Sequence, residues 1–507
     1  MTKAQPNILI FMSDQEQAAV TMSDHPCRTP HLDRFARDAV RFTSAYTPMA
    51  HCCPARASFM TGLYPSQHGV HNNVLNEQAL RTGLRPGVDT FSERLAEAGY
   101  DLFYAGKWHV SADERPRNRG WTELECSSIA GRDFHGVRRE VWPKRDPELG
   151  RTERAPGELL RPGWGAYRLY GTGDEPADRD WAAVHSACDR LWSLKDSRKP
   201  WCVYVGTVAP HDPFVVPAKY ARMYDPDRIE LPASYRDDLR DKPAVYRRMR
   251  RLWDQLGERE VRESIAHYWG FCTLVDEMFG RVLATLDEIG ASENTLVVFV
   301  SDHGEHCGAH GLYLKGISTF DEGYRVPALV RWPARIARPG RSVDDFVTLM
   351  DLAPTFLEAT GAPPLRKCAG RSLMPFLDGR RPADWRRDIY TQCNGVEVYY
   401  TRRMVRNRTH KFVYTPIDAD ELYDLRTDPL EMRNLADDPS LAPVKENLYR
   451  RMWEYAYETE DTIFNPYPSV ATADYGPAVL NPGRSSAGST PRSSARVPTS
   501  TAQEEKA

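Results

Sequence analysis

The chain has 507 residues, a length that allows a large buried core and predicts two or more domains. Its net charge of -3, with 27% charged residues, provides no overall basic field that would indicate nucleic-acid binding, so no nucleic-acid partner is expected. The ten cysteines lie far apart, without the dense spacing of a disulfide scaffold, so we expect reduced thiols.

The N-terminus leads directly into a first predicted strand, Asn7 to Ser13. This apolar run lacks the small-residue cleavage site of a signal peptide and is too short to cross a membrane. The sequence therefore predicts a cytoplasmic protein without a membrane partner. The strand is typical of a parallel sheet covered on both faces, and Asp14 and Gln15 follow it, where open α/β sheets bind ligands. A capping role for Asp14 is the alternative.

The segment from His51 to Gly62 predicts the start of a helix beside an anion. Pro54 suits a first helical position, and the start of a helix offers unpaired N–H donors and the positive end of its dipole. Cys52 and Arg56 lie at this start in the pattern C-x-P-x-R. Taken alone, Cys52 and Cys53 are equally explained as two small buried hydrophobic residues.

Two further strands also end in polar side chains. A predicted helix from Thr90 to Ala98 precedes a strand from Tyr100 to Ala105, which leads to Lys107 and His109. After a helix from Trp181 to Leu194, a short apolar strand from Pro200 to Val208 leads to His211. A lone Lys-x-His pattern more often lies on the solvent-exposed surface than in a functional site. Neither strand end therefore identifies a site by itself.

A fourth strand, Asn294 to Ser301, follows helical spacing between Val261 and Ile289 that predicts one long helix or two in tandem. It ends at Asp302 and His303. Zinc-compatible residues follow at positions 306, 307 and 310, but their spacing fits no standard zinc pattern. Because the carboxyl ends of parallel strands share one edge of a sheet, the polar residues after all four strands are predicted to form one pocket near Cys52.

The pattern changes after Leu377. A helix between Val347 and Gly361 is followed by predicted short strands and then by a helix from Pro443 to Glu460. The strands are expected at Asp388 to Gln392, Glu397 to Arg403 and Lys411 to Tyr414, and the run Glu421 to Leu425 follows them. Residues 466–507 are rich in Ser, Pro, Thr and Ala and are predicted to be a disordered tail.

Three motifs together resemble the type I sulfatases, the formylglycine-dependent family of the alkaline phosphatase superfamily. They are C-x-P-x-R followed by Ala-Ser-Phe-Met-Thr-Gly, then Gly-Lys-Trp-His at Gly106, and Asp-His-Gly-Glu at Asp302 with Lys315 beyond it. The resemblance covers the chain to about residue 465. It implies an α/β fold with a large, mostly parallel sheet flanked by helices in residues 1–377, and a subdomain with a small antiparallel sheet in residues 378–465.

The resemblance also implies the reaction, hydrolysis of a sulfate ester by a formylglycine hydrate. A formylglycine-generating enzyme would oxidise Cys52 in the unfolded chain, and the hydrate would attack sulfur and then expel sulfate. The implied ligands of one divalent metal ion are Asp14, Gln15, Cys52, Asp302 and His303. The implied roles of the others are positioning of the nucleophile by Arg56 and His109, binding of the anion by Lys107 and Lys315, and protonation of the leaving group by His211 with Lys315.

The metal set departs from the usual three aspartates and an asparagine of the family, because Gln15 and His303 replace one carboxylate and the amide. Calcium is the expected ion, and the imidazole makes manganese the alternative. The same pairs resemble the phosphonate monoester hydrolases and choline sulfatases. Phosphonate or phosphodiester hydrolysis is therefore the first alternative function, and a non-catalytic metal-binding protein with an unmodified Cys52 is the second. The organic part of an aryl, sugar or alkyl sulfate is expected to contact residues 126–180 and 217–258.

Overall fold

The structure is a computed structural model that describes residues 5–76, 78–127, 151–161, 165–396 and 399–481. Its strands are β1 Asn7–Ser13, β2 Ala39–Phe42, β3 Ala45–Tyr46, β4 Asp101–Lys107, β5 Thr122–Ser127, β6 Glu158–Arg161, β7 Gly165–Arg168, β8 Tyr170–Thr172, β9 Trp201–Gly206, β10 Phe214–Val216, β11 Thr295–Ser301, β12 Ala328–Arg331, β13 Arg341–Val343, β14 Val347–Thr348, β15 Asp388–Cys393, β16 Arg402–Asn407, β17 His410–Tyr414 and β18 Glu421–Asp424. Its helices are α1 Pro30–Arg37, α2 Cys52–Thr61, α3 Pro65–His68, α4 Phe91–Glu97, α5 Glu175–Ser193, α6 Ala218–Ala221, α7 Ala244–Trp253, α8 Glu258–Glu288, α9 Asp321–Tyr324, α10 Leu352–Thr360, α11 Met374–Leu377, α12 Ala442–Glu458 and α13 Pro468–Ala471.

A large mixed sheet has a parallel centre in the order β11-β1-β9-β4-β5. At one edge β12 pairs antiparallel with both β11 and β2, and β13 completes the edge parallel to β2. Residues of β1 are buried on both faces: Ile8 and Ile10 pack on one side, and Leu9 and Phe11 on the other. This two-sided burial explains the continuous apolar run of β1. The predicted fold class is confirmed.

Helices cover both faces of this sheet. Residues of α2, α4 and α10 join the core on one face, and residues of α1, α5 and α8 join the core on the other. The spacing between Val261 and Ile289 belongs to one continuous helix, α8, rather than two. Within the described residues, no helix combines the length and apolar character that a bilayer crossing requires.

The segment between residues 126 and 180 contains more regular structure than the sequence pattern indicates. β6 and β7 form an antiparallel pair, β8 pairs in parallel with β10, and α5 begins at Glu175 rather than Trp181. Such short strands escape periodicity because two to four residues give no measurable repeat. Residues 128–150 and 162–164, which fall in the predicted loops, lie outside the described residues.

The small C-terminal sheet is antiparallel in the order β15-β16-β17-β18, and α12 packs against it. Residues 397 and 398 of the strand predicted at Glu397 to Arg403 lie outside the described residues, and residues 399–401 are not in a strand, because β16 covers Arg402–Asn407. The phenol of Tyr400 donates a hydrogen bond to the main-chain oxygen of Ile317 at 2.8 Å. The last strand of the large sheet ends at Val343, and the small sheet begins at Asp388.

The prediction of a disordered tail does not hold for residues 466–481. This segment contains α13 and packs against α12, where Trp453 Nε1 donates to the Tyr475 main-chain oxygen at 2.7 Å. Lys445 Nζ donates to Asp474 at 2.6 Å. A few apolar side chains therefore anchor a segment whose average composition is polar. Residues 482–507 of the predicted tail lie outside the described residues.

Removing residues 466–507 is expected to give a lower melting temperature than removing residues 482–507 alone. The longer truncation uncovers the part of α12 on which Tyr475 and Leu480 pack. Full burial of a large apolar side chain contributes about 1.5–3 kcal/mol to the free energy of unfolding, and the partly buried Tyr475 and Leu480 each contribute less than that. Calorimetry on both truncated proteins measures the difference, and equal melting temperatures would contradict the packing seen here.

Candidate active site

Strand ends bring Asp14, Lys107 and Asp302 to one edge of the large sheet. In the register of β1 and β11, Ser13 lies opposite Ser301, and β9 lies between β1 and β4. Lys107 Nζ contacts Asp14 Oδ2 in a buried ion pair. These three residues, far apart in sequence, therefore meet as predicted.

Gly106 allows β4 to deliver Lys107 at this edge. Its φ is +89°, and a Cβ at this position would lie 1.7 Å from the main-chain oxygen of Gly206 on β9. A side chain cannot fit between strands that approach so closely, and positive φ favours glycine independently. The glycine of the Gly-Lys-Trp-His motif thus has a steric reason to be present.

The helix α2 directs Cys52 at the same edge. Every residue of α2 is buried, and Phe59 packs on Phe91 and Phe356 with ring centroids 5.6 and 6.1 Å apart. Cys52, the first helical residue, has its Sγ 3.3 Å from His303 Nε2 and 3.8 Å from Asp14 Oδ1. The positive end of the helix dipole is therefore next to the buried carboxylates.

Arg56, one turn further along α2, ties the two carboxylates together. Its Nε donates to Asp302 Oδ2 at 2.8 Å, and its Nη2 lies 3.4 Å from Asp14 Oδ2. Burial alone would raise the pKa of Asp14, but the positive charges of Lys107 and Arg56 bring that pKa well below its ordinary value. Asp14 is therefore ionised despite complete burial.

Asp14, Cys52, Asp302 and His303 form a buried group whose donor atoms all lie within 4.8 Å of one another. His303 Nδ1 donates to the main-chain oxygen of Gly304 at 2.9 Å, which leaves the lone pair of Nε2 facing the group. Burial lowers the pKa of His303, so the imidazole is neutral. Two carboxylates with a correctly oriented imidazole fit a divalent cation.

Gln15 adopts a left-handed backbone with φ of +67°, and its main-chain N–H donates to Asp302 Oδ1 at 3.1 Å. Its amide points to the next part of the pocket. Oε1 accepts a hydrogen bond from Lys315, and Nε2 donates to Glu305 and, at 3.0 Å, to Asp212. Gln15 therefore links the buried group to Lys315, and its role as a metal ligand stays a prediction.

His211 and Lys315 form a hydrogen-bonded pair. His211 Nδ1 donates to the main-chain oxygen of Asp212 at 2.6 Å, so the lone pair of Nε2 accepts from Lys315 Nζ, also at 2.6 Å. Burial alone would lower the pKa of Lys315, but the electrostatic interactions with Cys52 and Asp212 are stronger and raise it. The proton of this pair resides on Lys315. The His211 side chain is 23% exposed, which places it on the open side of the pocket.

His109 is held as a neutral imidazole. The Leu75 main-chain N–H donates to Asn73 Oδ1 at 3.0 Å, which identifies that atom as an oxygen, and His109 Nε2 donates to it at 3.1 Å. His109 Nδ1 is buried without a partner. Burial and the nearby charge of Lys107 bring the pKa of His109 well below its ordinary value. The imidazole therefore keeps a free lone pair.

The sulfatase family model matches residues 6–362 of the chain, more than two thirds of its length. The chain belongs to the sulfatase family. A second model, for the C-terminal region of N-sulphoglucosamine sulphohydrolase, matches residues 308–458. These matches confirm the prediction of a type I sulfatase, a sulfuric ester hydrolase of the alkaline phosphatase superfamily.

Relatives of this sulfatase carry more than one activity in their names. The multifunctional alkaline phosphatase superfamily protein PehA of Trinickia caryophylli is 28% identical over 487 residues, covering 87% of this chain and 92% of the relative. The choline-sulfatase of Rhizobium meliloti is 29% identical over 462 residues, which cover 87% of this chain and 84% of the relative. Among solved structures, the phosphonate monoester hydrolase of Silicibacter pomeroyi superposes with a TM-score of 0.74 at 25% identity, covering 91% of this chain and 97% of that chain.

Several polar residues of the sulfatase pocket were not identified from the sequence. Asn73, Asp212 and Glu305 each contact a predicted site residue, and Tyr167 donates to Asp212. Asp212 and Glu305 follow strand ends within segments already singled out, so the strand-end argument could have included them. Tyr167 lies in a segment without a motif and gave no such signal.

Proposed function

We propose that this sulfatase hydrolyses a sulfate ester through formylglycine formed from Cys52. The observation that carries the proposal is the position of Cys52 at the first turn of α2, within 4 Å of both Asp14 and His303. Formylglycine would supply an aldehyde hydrate, with one hydroxyl as the nucleophile for sulfur and a second through which sulfate could be released. A tetrahedral anion in front of this residue meets the helix dipole and three cationic side chains: Arg56, Lys107 and Lys315.

Burial of Cys52 supports modification before folding. Its exposed fraction is 2%, and the whole of α2 is enclosed by the core. A formylglycine-generating enzyme could not reach the thiol in this structure, so the proposed partner acts on the unfolded chain. The proposed location of the folded protein is the cytoplasm.

The chain's own residues divide the remaining tasks. Lys107 and Lys315 hold the sulfate oxygens, and Arg56 keeps Asp14 and Asp302 in place below them. The unpartnered Nδ1 of His109 is a free acceptor for a proton from the nucleophile. Lys315, which carries the proton shared with His211, donates it to the leaving oxygen.

A divalent cation held by Asp14, Asp302, His303 and the modified Cys52, with Gln15 as a further proposed ligand, would offset negative charge on the sulfate oxygens. Calcium is the proposed ion. Manganese is the alternative, because an imidazole ligand favours transition metals more than an all-oxygen set does.

Hydrolysis of phosphonate monoesters or phosphodiesters is the second candidate function. It is supported by the overall similarity to the Silicibacter pomeroyi phosphonate monoester hydrolase and by the multifunctional relative from Trinickia caryophylli. The pocket is compatible with all of these esters, because each is a tetrahedral anion that carries a single negative charge and an ester oxygen as leaving group. The non-catalytic alternative requires an unmodified Cys52, and peptide mass analysis of protein from its own host tests it directly.

Parallel assays on an aryl sulfate and the aryl phosphonate with the same phenol are expected to give a higher kcat/KM for the sulfate. The identical leaving group removes differences in phenol pKa, so the comparison reports the preference for the anion alone. Higher efficiency on the phosphonate would favour the second candidate. Turnover of neither ester by protein shown to contain formylglycine would contradict both.

A further inference from the structure

The pair formed by His211 and Lys315 is flanked by a carboxylate that the proposed reaction does not use. Asp212 Oδ1 lies 3.3 Å from His211 Nδ1 and 3.6 Å from Lys315 Nζ. The same oxygen accepts from Gln15 Nε2 at 3.0 Å. One carboxylate oxygen is therefore in contact with both members of the proton-donating pair.

The other oxygen of this carboxylate contacts a residue of the short strand β7. Asp212 Oδ2 accepts a hydrogen bond from the hydroxyl of Tyr167 on β7. Burial and the neighbouring Asp212 raise the pKa of Tyr167 well above its ordinary value, so the phenol stays protonated and can only donate. The guanidinium of Arg161 lies over the ring of Tyr167, 5.7 Å from its centroid, in a cation–π contact.

The groups around this carboxylate stabilise its negative charge. Tyr167 and Gln15 donate hydrogen bonds to it, and the ammonium of Lys315 lies 3.6 Å from its Oδ1. The side chain is 11% exposed. Lys315 and Asp212 thus form a nearly neutral unit in a pocket that also contains the cations Arg56 and Lys107.

We propose that Asp212, oriented by Tyr167, is a positioning residue that holds Lys315 and His211 in line with the oxygen of the departing alcohol. This inference rests on the proposed function. In the step concerned the nucleophile at position 52 forms a bond to sulfur as the S–O bond of the ester breaks. The electron pair of the broken bond stays on the alcohol oxygen, and that oxygen forms a bond to a proton of Lys315 Nζ. The lysine amine then regains a proton from water.

Loss of the Asp212 carboxylate removes the group that positions His211 and Lys315, but Lys315, which donates the proton, remains. General acid catalysis contributes about 10²–10⁴-fold, and a displacement of roughly 1 Å can cost about 10²-fold. The need for a proton falls as the alcohol becomes more acidic. A positioning role for Asp212 therefore predicts a loss of rate that depends on the leaving group, whereas a purely structural role affects all substrates alike.

The test compares phenyl sulfate with 4-nitrophenyl sulfate for Asp212→Asn and Tyr167→Phe. We expect Asp212→Asn to lower kcat/KM about 10²-fold on phenyl sulfate and less than about fivefold on the nitrophenyl ester. Tyr167→Phe, which keeps the ring and removes one hydrogen bond, is expected to show the same pattern with a smaller loss. It also keeps the test valid if Asp212→Asn is poorly folded.

Tyr170→Phe is the matched control. Tyr170 lies on β8 near Tyr167, and its hydroxyl donates to Glu263 at 2.7 Å rather than to Asp212. We expect this variant to keep wild-type rates on both esters. Equal losses on the two esters for Asp212→Asn and Tyr167→Phe would overturn the positioning role.

Failure of the proposed function has a different signature. In that case the wild-type protein turns over phosphonate monoesters in preference to sulfate esters. The same leaving-group comparison is then made on the phenyl and 4-nitrophenyl monoesters of one phosphonic acid. A leaving-group-dependent loss there would retain the role of Asp212 while the sulfate proposal fails. A uniform loss would overturn the role on that substrate class too.

Discussion

Replacing Cys52 with alanine is expected to abolish turnover, with a fall in kcat of at least about 10⁴-fold, while the fold stays intact. Alanine cannot be converted to an aldehyde, so no hydrate forms at the start of α2. The substitution removes one sulfur atom from a site lined by polar groups, and alanine is a good helix former. Steady-state kinetics measures the loss, and circular dichroism with thermal melting verifies the fold.

Cys53→Ala is the matched control for this variant. Cys53 is also buried, but its Sγ accepts from the Val74 main-chain N–H at 3.4 Å and lies 3.6 Å from Asn73 Oδ1, on the side of α2 that faces the core. We expect a loss of less than about tenfold in kcat, because no reacting atom is removed. An inactive Cys53→Ala beside an active Cys52→Ala would place the nucleophile one residue later than proposed.

The meeting of distant residues was predictable because it depends on the backbone. Apolar runs such as Asn7–Ser13 and Thr295–Ser301 indicate buried parallel strands, and parallel strands end at a common edge. Asp14 and Asp302 each follow such a run directly. Their proximity therefore needed no knowledge of side-chain conformation.

The orientation of Gln15 was not predictable in the same way. Its left-handed backbone and its contacts with Lys315, Asp212 and Glu305 depend on residues about 200 to 300 positions away. Tyr167 reaches Asp212 from a strand too short to show periodicity. Packing of residues 466–481 depends on single side chains such as Tyr475, which an average over a polar segment conceals. In each case the deciding contacts are between side chains far apart in sequence, which the local sequence pattern cannot predict.

Removing the divalent cation is expected to lower kcat about 10³-fold or more. A bound cation contributes several kcal/mol of charge stabilisation in such reactions, and about 1.4 kcal/mol corresponds to a factor of ten. Dialysis of the purified enzyme against a chelator, followed by metal analysis, gives the comparison. The melting temperature is also expected to fall, because ligand present at about 100 times its Kd stabilises a fold by about 2.7 kcal/mol. Restoration of both quantities by calcium is the expected result, and restoration by manganese alone would establish the alternative ion.

His303→Asn tests the ligand set that this prediction assumes. The variant replaces the only nitrogen donor of the buried group with an amide oxygen, so we expect manganese content to fall more than calcium content. His306→Asn is the control, because His306 Nε2 contacts Ser318 Oγ at 2.5 Å, outside the buried group. Metal content measured by mass spectrometry should be unchanged in that variant. If His303→Asn instead keeps wild-type content of both ions, His303 is not a ligand, and the lone pair that its Nε2 directs at Cys52 serves only as a hydrogen-bond acceptor.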